Sequence, residues 1–216
     1  MINKIYKYIF FFLSLVFINL AHAEDGFFFE GKIIEYKDGN NLIYAKDNVL
    51  VTTMEGFKAS ANESRYYRNL NKLILVGDVK IIDNNKNITL QSDEVEYQKN
   101  LELITSKNKT TINVNNNFFI ITKNINYLRN KETISSNYET SVTDNFGNQV
   151  KSSDFILSIA KKEFKTKQIN LLDKDSNEYI ADNVMIDLSK NQLAGKDIKM
   201  YFKKTDDLNS HARLKG

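Results

Sequence analysis

After Glu24 the chain shows no long stretch of helical period, and apolar residues alternate with polar ones instead. Leu73, Leu75, Val79 and Ile81 alternate around Gly77. Phe119, Ile121, Ile125 and Tyr127 fall on one face of a single strand if the alternation runs unbroken. Phe155, Leu157 and Ile159 alternate too, as do Val184, Ile186 and Leu188, then Ile198, Met200 and Phe202. Clusters of Asn, Asp, Gly, Ser and Lys separate these runs, among them Lys37 to Asn41, Asp83 to Asn87, Asn115 to Asn117, Asp144 to Asn148 and Asp173 to Asn177. Such residues tolerate left-handed backbone and bond to their own turns, so the pattern predicts strand, tight turn and strand, repeated to the end.

The pattern also has a period. A small residue with a polar pair precedes an apolar strand at Ala61, Ser92, Thr122, Ser153 and Ala181, in steps of 31, 30, 31 and 28 residues. A weaker copy starts at Ala45. About 30 residues hold two strands and their turns, so each repeat predicts one hairpin. A lone hairpin cannot bury its apolar face and must stack on its neighbours. Proline is absent from the 216 residues, which fits uninterrupted ladders.

Residues 1–23 have the features of a secretion signal. Lys4 and Lys7 precede an apolar run from Ile9 to Leu20, and Ala21-His22-Ala23 supplies a small-x-small cleavage pattern. The organisation predicted is a signal at 1–23, one β-domain over 24–203, and a polar tail or linker at 204–216. The chain has no cysteine, so an exported fold relies on packing and backbone pairing. Its formal charge is +3, of which the signal carries two, and this leaves no basic footprint for nucleic acid.

Chemistry is hard to place on this sequence. The two histidines are His22, in the signal, and His211, in the polar tail. Without thiols there is no cysteine nucleophile or thiolate metal site. Asp83, Asn85, Asn87 and Glu94 match four places of a calcium loop, but Ile88 takes the place that requires glycine. The run from Asp173 fits that loop less well, with Glu178 at the glycine position. Both read as hairpin turns. The expectation is a protein that is not an enzyme and has no cofactor and no metal.

Two stretches, Phe118 to Ile121 and Leu73 to Val76, are apolar on both faces. A strand of that kind is normally covered on both sides. Either a closed sandwich core or an open groove that accepts acyl chains satisfies this. With one register throughout, the groove candidates are Leu75, Val79, Ile81, Val95, Tyr97, Phe119, Ile121, Ile125, Tyr127, Phe155 and Leu157. A one-residue slip would invert a strand.

The segment from Ala61 to Tyr97 resembles the repeat of the OstA/LptA-like lipopolysaccharide-transport family. The resemblance lies in the strand at Ala61 to Tyr66, the apolar run Leu73 to Val76, the turn-like Gly77-Asp78-Val79, and the return at Ser92-Asp93. It extends in weaker form over about residues 27–202. It implies an all-β fold: an open, twisted antiparallel β-jellyroll whose apolar interior holds lipopolysaccharide acyl chains. It further implies a periplasmic location associated with the outer membrane, and end-to-end pairing with other jellyrolls of the transport system. The edge strands expected to pair are Ile33, Ile34, Glu35 and Tyr36 at one end, and Ile198, Lys199, Met200, Tyr201 and Phe202 at the other. The stretch Asn209 to Gly216, ending Arg-Leu-Lys-Gly, resembles the segment leading into the barrel of the family's outer-membrane member, LptD. That reading adds an outer-membrane barrel, as a missing C-terminal part, and its lipoprotein partner. A free-standing LptA-like bridge is the alternative within the family. A structural β-repeat protein, such as an adhesin or stalk, is the alternative outside it.

Overall fold

A computed structural model describes residues 26–203. The expected signal at 1–23 and the tail at 204–216 lie outside the described residues. The strands are β1 (Phe28–Glu30), β2 (Ile33–Lys37), β3 (Leu42–Thr52), β4 (Phe57–Tyr67), β5 (Lys72–Asp83), β6 (Ile88–Gln98), β7 (Leu103–Val114) and β8 (Phe118–Lys123). There follow β9 (Asn126–Leu128), β10 (Thr133–Ser136), β11 (Thr140–Asp144), β12 (Gln149–Ser152), β13 (Phe155–Ser158), β14 (Glu163–Leu172), β15 (Glu178–Asp187) and β16 (Gln192–Tyr201). All pairings are antiparallel and join one 16-stranded sheet among the described residues. The architecture is all-β, an open, twisted antiparallel jellyroll.

Each long strand is bent at its middle, and the bends align into a crease. Register shifts mark it between Lys46 and Val49, Ser60 and Glu63, Val76 and Val79, and Ser92 and Glu94. Further along, β7 pairs β9 through its first half and β8 through its second. Likewise, β14 pairs β13 first and then β12. The crease divides the sheet into two half-sheets that face each other. Half-sheet A holds β2, β9, β10, β13 and the tyrosine-bearing halves of β4 and β6. Half-sheet B holds β1, β8, β11, β12 and the other halves.

Left-handed residues form many of the bends: Asp47 and Asn48 in β3, Gly77 and Asp78 in β5, Asn108 in β7, Asn124 between β8 and β9, Asn183 in β15 and Asp197 in β16. Asn, Asp and Gly adopt this backbone at least cost. Gly77-Asp78-Val79 is therefore a bend, and Asp47-Asn48-Val49 is its counterpart in β3. A Cβ on Gly77 would lie 2.6 Å from Asn62 Nδ2, and Asn62 Nδ2 donates to Asp78 Oδ2 at 3.3 Å.

The repeat seen in the sequence is the other set of bends. Ala61, Ser92, Thr122, Ser152 and Ala181 all point inward and are buried, and the next inward residue comes three positions later, at Ser64, Val95, Ile125, Phe155 and Val184. The inward residue of the fourth repeat is Ser152, not Ser153. Ser153 faces outward.

Hydroxyls satisfy backbone groups that the bends release from the ladder. Ser92 Oγ donates to Lys107 O at 2.9 Å, Ser136 Oγ to Lys123 O at 2.6 Å, and Thr140 Oγ1 to Tyr138 O at 2.9 Å. Ile125 N donates to Ser106 Oγ at 3.2 Å. Most buried polar groups are paired in this way, whereas Ser64 Oγ and Ser152 Oγ at the same bends have no partner among the described residues.

Turns stack at the strand ends as well. Arg68 N bonds Asn41 O, Lys99 N bonds Asn71 O, Arg129 N bonds Glu102 O, Ile159 N bonds Glu132 O and Leu188 N bonds Lys162 O. Each repeat is thus tied to the one before it.

Candidate functional site

Because the strands fold back at the crease, their two ends meet on the opposite side. That side is a slit between half-sheets. Over the N-terminal part it is closed. Phe27, Phe29, Phe57, Tyr66 and Tyr97 pack across it, with Phe57 stacked on Tyr97 at 5.0 Å and Phe27 edge-on to Tyr66 at 5.0 Å. Next comes a buried polar cluster. Arg129 Nε donates to Asp83 Oδ2 at 2.8 Å, and Arg129 Nη1 donates to Tyr97 OH at 2.8 Å and to Glu102 Oε2 at 2.5 Å. Tyr127 OH donates to the same Asp83 oxygen at 3.3 Å. Lys86 pairs with Glu132 just outside.

Burial pushes the Tyr97 and Tyr127 phenols above their usual pKa. Burial opposes the Arg129 charge, but the Asp83 bond and the neighbouring groups outweigh it and hold its pKa above the ordinary value.

These contacts reveal a stagger. Asp83 ends β5 in half-sheet B, yet meets Arg129 beyond β9 in half-sheet A. Phe57 of β4 meets Tyr97 of β6. The half-sheets are offset, so each overhangs the other at one end. At the N-terminal end Ile34 and Tyr36 of β2 share the inward face with their partners Ala45 and Ile43, yet Tyr36 is 61% exposed. At the C-terminal end the offset leaves a cavity.

The cavity has a volume of about 510 Å³ and lies between β8, β11, β12 and the halves of β14 to β16 that carry Leu171, Tyr179 and Met200 on one side, and β13 with the halves that carry Phe164, Ile186 and Leu193 on the other. Phe118, Ile120, Leu157, Phe164, Leu193 and Ile198 form its apolar wall. Asp144, Asn148, Asp173 and Asn191 stand at its polar rim. Asp173 is bound by its own turn, through Asn177 N, Asn177 Nδ2, Asp175 N and Tyr179 OH. Burial works to raise its pKa, and these bonds hold it below the usual carboxylate value. Many wall residues are only half-buried, so water reaches them. Volume and lining suit an elongated apolar ligand.

No family model matches the chain, and no curated protein does. Among solved structures it is similar to LptH, the LptA-homologous periplasmic component of the conserved lipopolysaccharide transport device from Pseudomonas aeruginosa. The TM-score is 0.27 and the identity 9%, over 88% of this chain and 95% of that one. At that score and identity the likeness carries no functional argument.

The groove candidates divide three ways. Leu75, Val79, Ile81, Val95, Tyr97, Ile125, Tyr127 and Phe155 point inward, but into tightly filled interior rather than open space. Leu157 alone among the candidates lines the cavity. Phe119 and Ile121 lie on the outer face, 46% and 36% exposed, and this corrects their placement. Phe118 and Ile120 take the inward positions. The reason is the bend at Asn124, whose φ of 46° shifts the alternation, so that Ile120 and Thr122 continue into Ile125 and Tyr127.

Among the described residues β2, with Ile33, Ile34, Glu35 and Tyr36, pairs only β3, and β16, with Ile198, Lys199, Met200 and Tyr201, pairs only β15. Phe202 falls just past the end of β16.

The run from Asp83 to Asn87 is a hairpin turn with the Asp83 side chain turned inward to Arg129. Among the described residues no group of His, Asp or Glu could hold a metal ion. Sequence reasoning missed Arg129 and the cavity residue Leu193, and it expected Ile198 at an edge strand without foreseeing that it lines the cavity. Arg129 read as one more cation in a polar turn. The signal for it was the buried acid at Asp83, which needs a partner.

Proposed function

We propose that this chain is a periplasmic lipid-handling protein of the OstA/LptA-like kind, which holds acyl chains of lipopolysaccharide in the cavity between its half-sheets. The observation that supports this most is the cavity itself: open, about 510 Å³, and walled by Phe118, Leu157, Phe164 and Leu193. Binding of this kind needs no catalytic group, because burial favours each methylene by about 0.8 kcal/mol. Residues 24–203 are the lipid-handling domain in this reading, and residues 1–23 direct export. The free edges of β2 and β16 offer unpaired backbone for end-to-end strand addition to other jellyrolls.

Attachment to an outer-membrane barrel, with its lipoprotein partner, is the finer variant, and Asn209 to Gly216 support it. Reading the coding frame past Gly216 separates it from the free-standing bridge.

The filled interior from β3 to β9 favours a second reading, a structural β-repeat protein, which binds no lipid. The deciding experiment is to express the full chain in a lipopolysaccharide-making host, purify it from the periplasm, and extract bound lipid for mass spectrometry. Acyl-bearing lipid in the wild type, lost in a Leu193→Trp variant, supports the conduit. Lipid absent from both leaves the structural reading standing.

A further inference from the structure

The cavity and the polar cluster lie close together. Leu157, on the cavity wall, is the direct cross-strand partner of Ile134. Ile134 is in turn the partner of Tyr127, whose hydroxyl bonds Asp83. Beyond that point the interior is closed and filled by residues such as Leu75, Leu90, Ile104 and Ile112. The cavity is therefore blind: it opens at the C-terminal end and stops at the cluster.

The chemistry of the stop is unusual for its position. An apolar pair would close a slit between two sheets at lower cost, because a buried ion pair rarely adds stability beyond an apolar replacement. Here a carboxylate with no side-chain exposure faces a nearly buried guanidinium, and one of its oxygens, Asp83 Oδ1, has no hydrogen-bond partner among the described residues. Nearer the N-terminal end the slit is shut by the apolar ring contacts of Phe27, Phe57 and Tyr97. The Arg129–Asp83 contact is directional, so it is either made or broken, whereas an apolar contact weakens gradually as the sheets part.

We infer that the Arg129–Asp83 pair, with Tyr97, Tyr127 and Glu102, is a latch between the half-sheets. Engaged, it confines a bound acyl chain to the C-terminal cavity. Released, it lets the slit part along β5 to β9 and extends the groove toward the N-terminal end. This rests on the lipid-handling reading above. The Lys86–Glu132 pair lies on the same two lips and reports the same motion.

The test uses the full chain and a diazirine-bearing palmitate as probe, with adducts mapped by mass spectrometry. In the wild type, adducts are expected at Leu193 and Ile198 and not at Leu90 or Ile112. In Arg129→Met, they are expected to spread to Leu90 and Ile112, with at least a tenfold gain there. Because the chain has no cysteine, Lys86→Cys with Glu132→Cys allows the lips to be tied by a short bismaleimide. Tying them in the Arg129→Met background is expected to return the adducts to the cavity, a rescue that general unfolding would not show. Adducts that stay in the cavity in untied Arg129→Met overturn the latch while leaving the cavity reading intact. Adducts nowhere in the wild type overturn both.

Discussion

Arg129 Nε reaches Asp83 Oδ2 at 2.8 Å across the slit, joining two residues 46 positions apart in the sequence. Removing one partner strands the other as a buried charge. Arg129→Ala is therefore expected to cost about 3–5 kcal/mol. Replacing both, as Asp83→Leu with Arg129→Met, is expected to recover most of that loss, since neither charge of the buried pair remains, while the part-exposed Glu102 keeps its bond from Tyr97 OH. Urea unfolding of the two variants checks this, read by circular dichroism because the chain has no tryptophan. A double variant as unstable as the single one would show that shape, not charge, holds the slit.

The same cluster sets an alkaline limit. Burial raises the Tyr97 and Tyr127 phenols above the ordinary value of 10.0. A phenol with a raised folded pKa contributes fully below its unfolded pKa, and the contribution is lost as pH climbs through the folded one. Stability is thus expected to hold to about pH 10 and to fall beyond it. Tyr127→Phe should flatten part of that fall, and phenolate absorbance should lag the other tyrosines until unfolding. A stability curve that ignores Tyr127→Phe would refute its share.

The fold was legible in the sequence where the period was. Alternation around turn residues foretold the strands, and the small residues at Ala61, Ser92, Thr122 and Ala181 marked the crease without revealing that it was one. What failed was the phase. Across Asn124 the alternation skips, and simple counting sent Phe119 and Ile121 inward when Phe118 and Ile120 occupy that face. The cavity was not legible either. It arises from the stagger between half-sheets, a long-range property that no local pattern of Leu193 or Ile198 encodes. The crease hydroxyls were visible only as small polar residues in apolar strands.

At the crease, Gly77 has a φ of 79° and almost no room for a Cβ. Gly39 has a φ of 58° with nothing within 4 Å. Alanine at either site bears a left-handed penalty of about 1–2 kcal/mol. At Gly77 it must also displace Asn62 and break its bond to Asp78, roughly 1 kcal/mol more. Gly77→Ala is expected to be the worse of the two, and Asn62→Ala should reduce the difference in a double-mutant cycle. Equal losses at both glycines would mean that Asn62 yields freely.

The outer and inner faces of β8 give the sharpest contrast for lipid binding. Ile120 is fully buried against the cavity, whereas Phe119 is exposed on the opposite side. Phe119→Ser is expected to leave lipid binding unchanged and stability within about 0.5 kcal/mol, as for other surface substitutions. Leu193→Trp, on a half-buried wall position, fills space rather than removing it. It is expected to lower binding of a fluorescent fatty acid at least tenfold while the urea midpoint moves little. A photo-crosslinking residue at Phe119 should capture no lipid, and one at Leu193 should. Tyr127, behind the latch, should capture lipid only once Arg129 is replaced. Capture at Phe119 instead would place the lipid on the outer surface of the sheet and would remove the cavity from the mechanism.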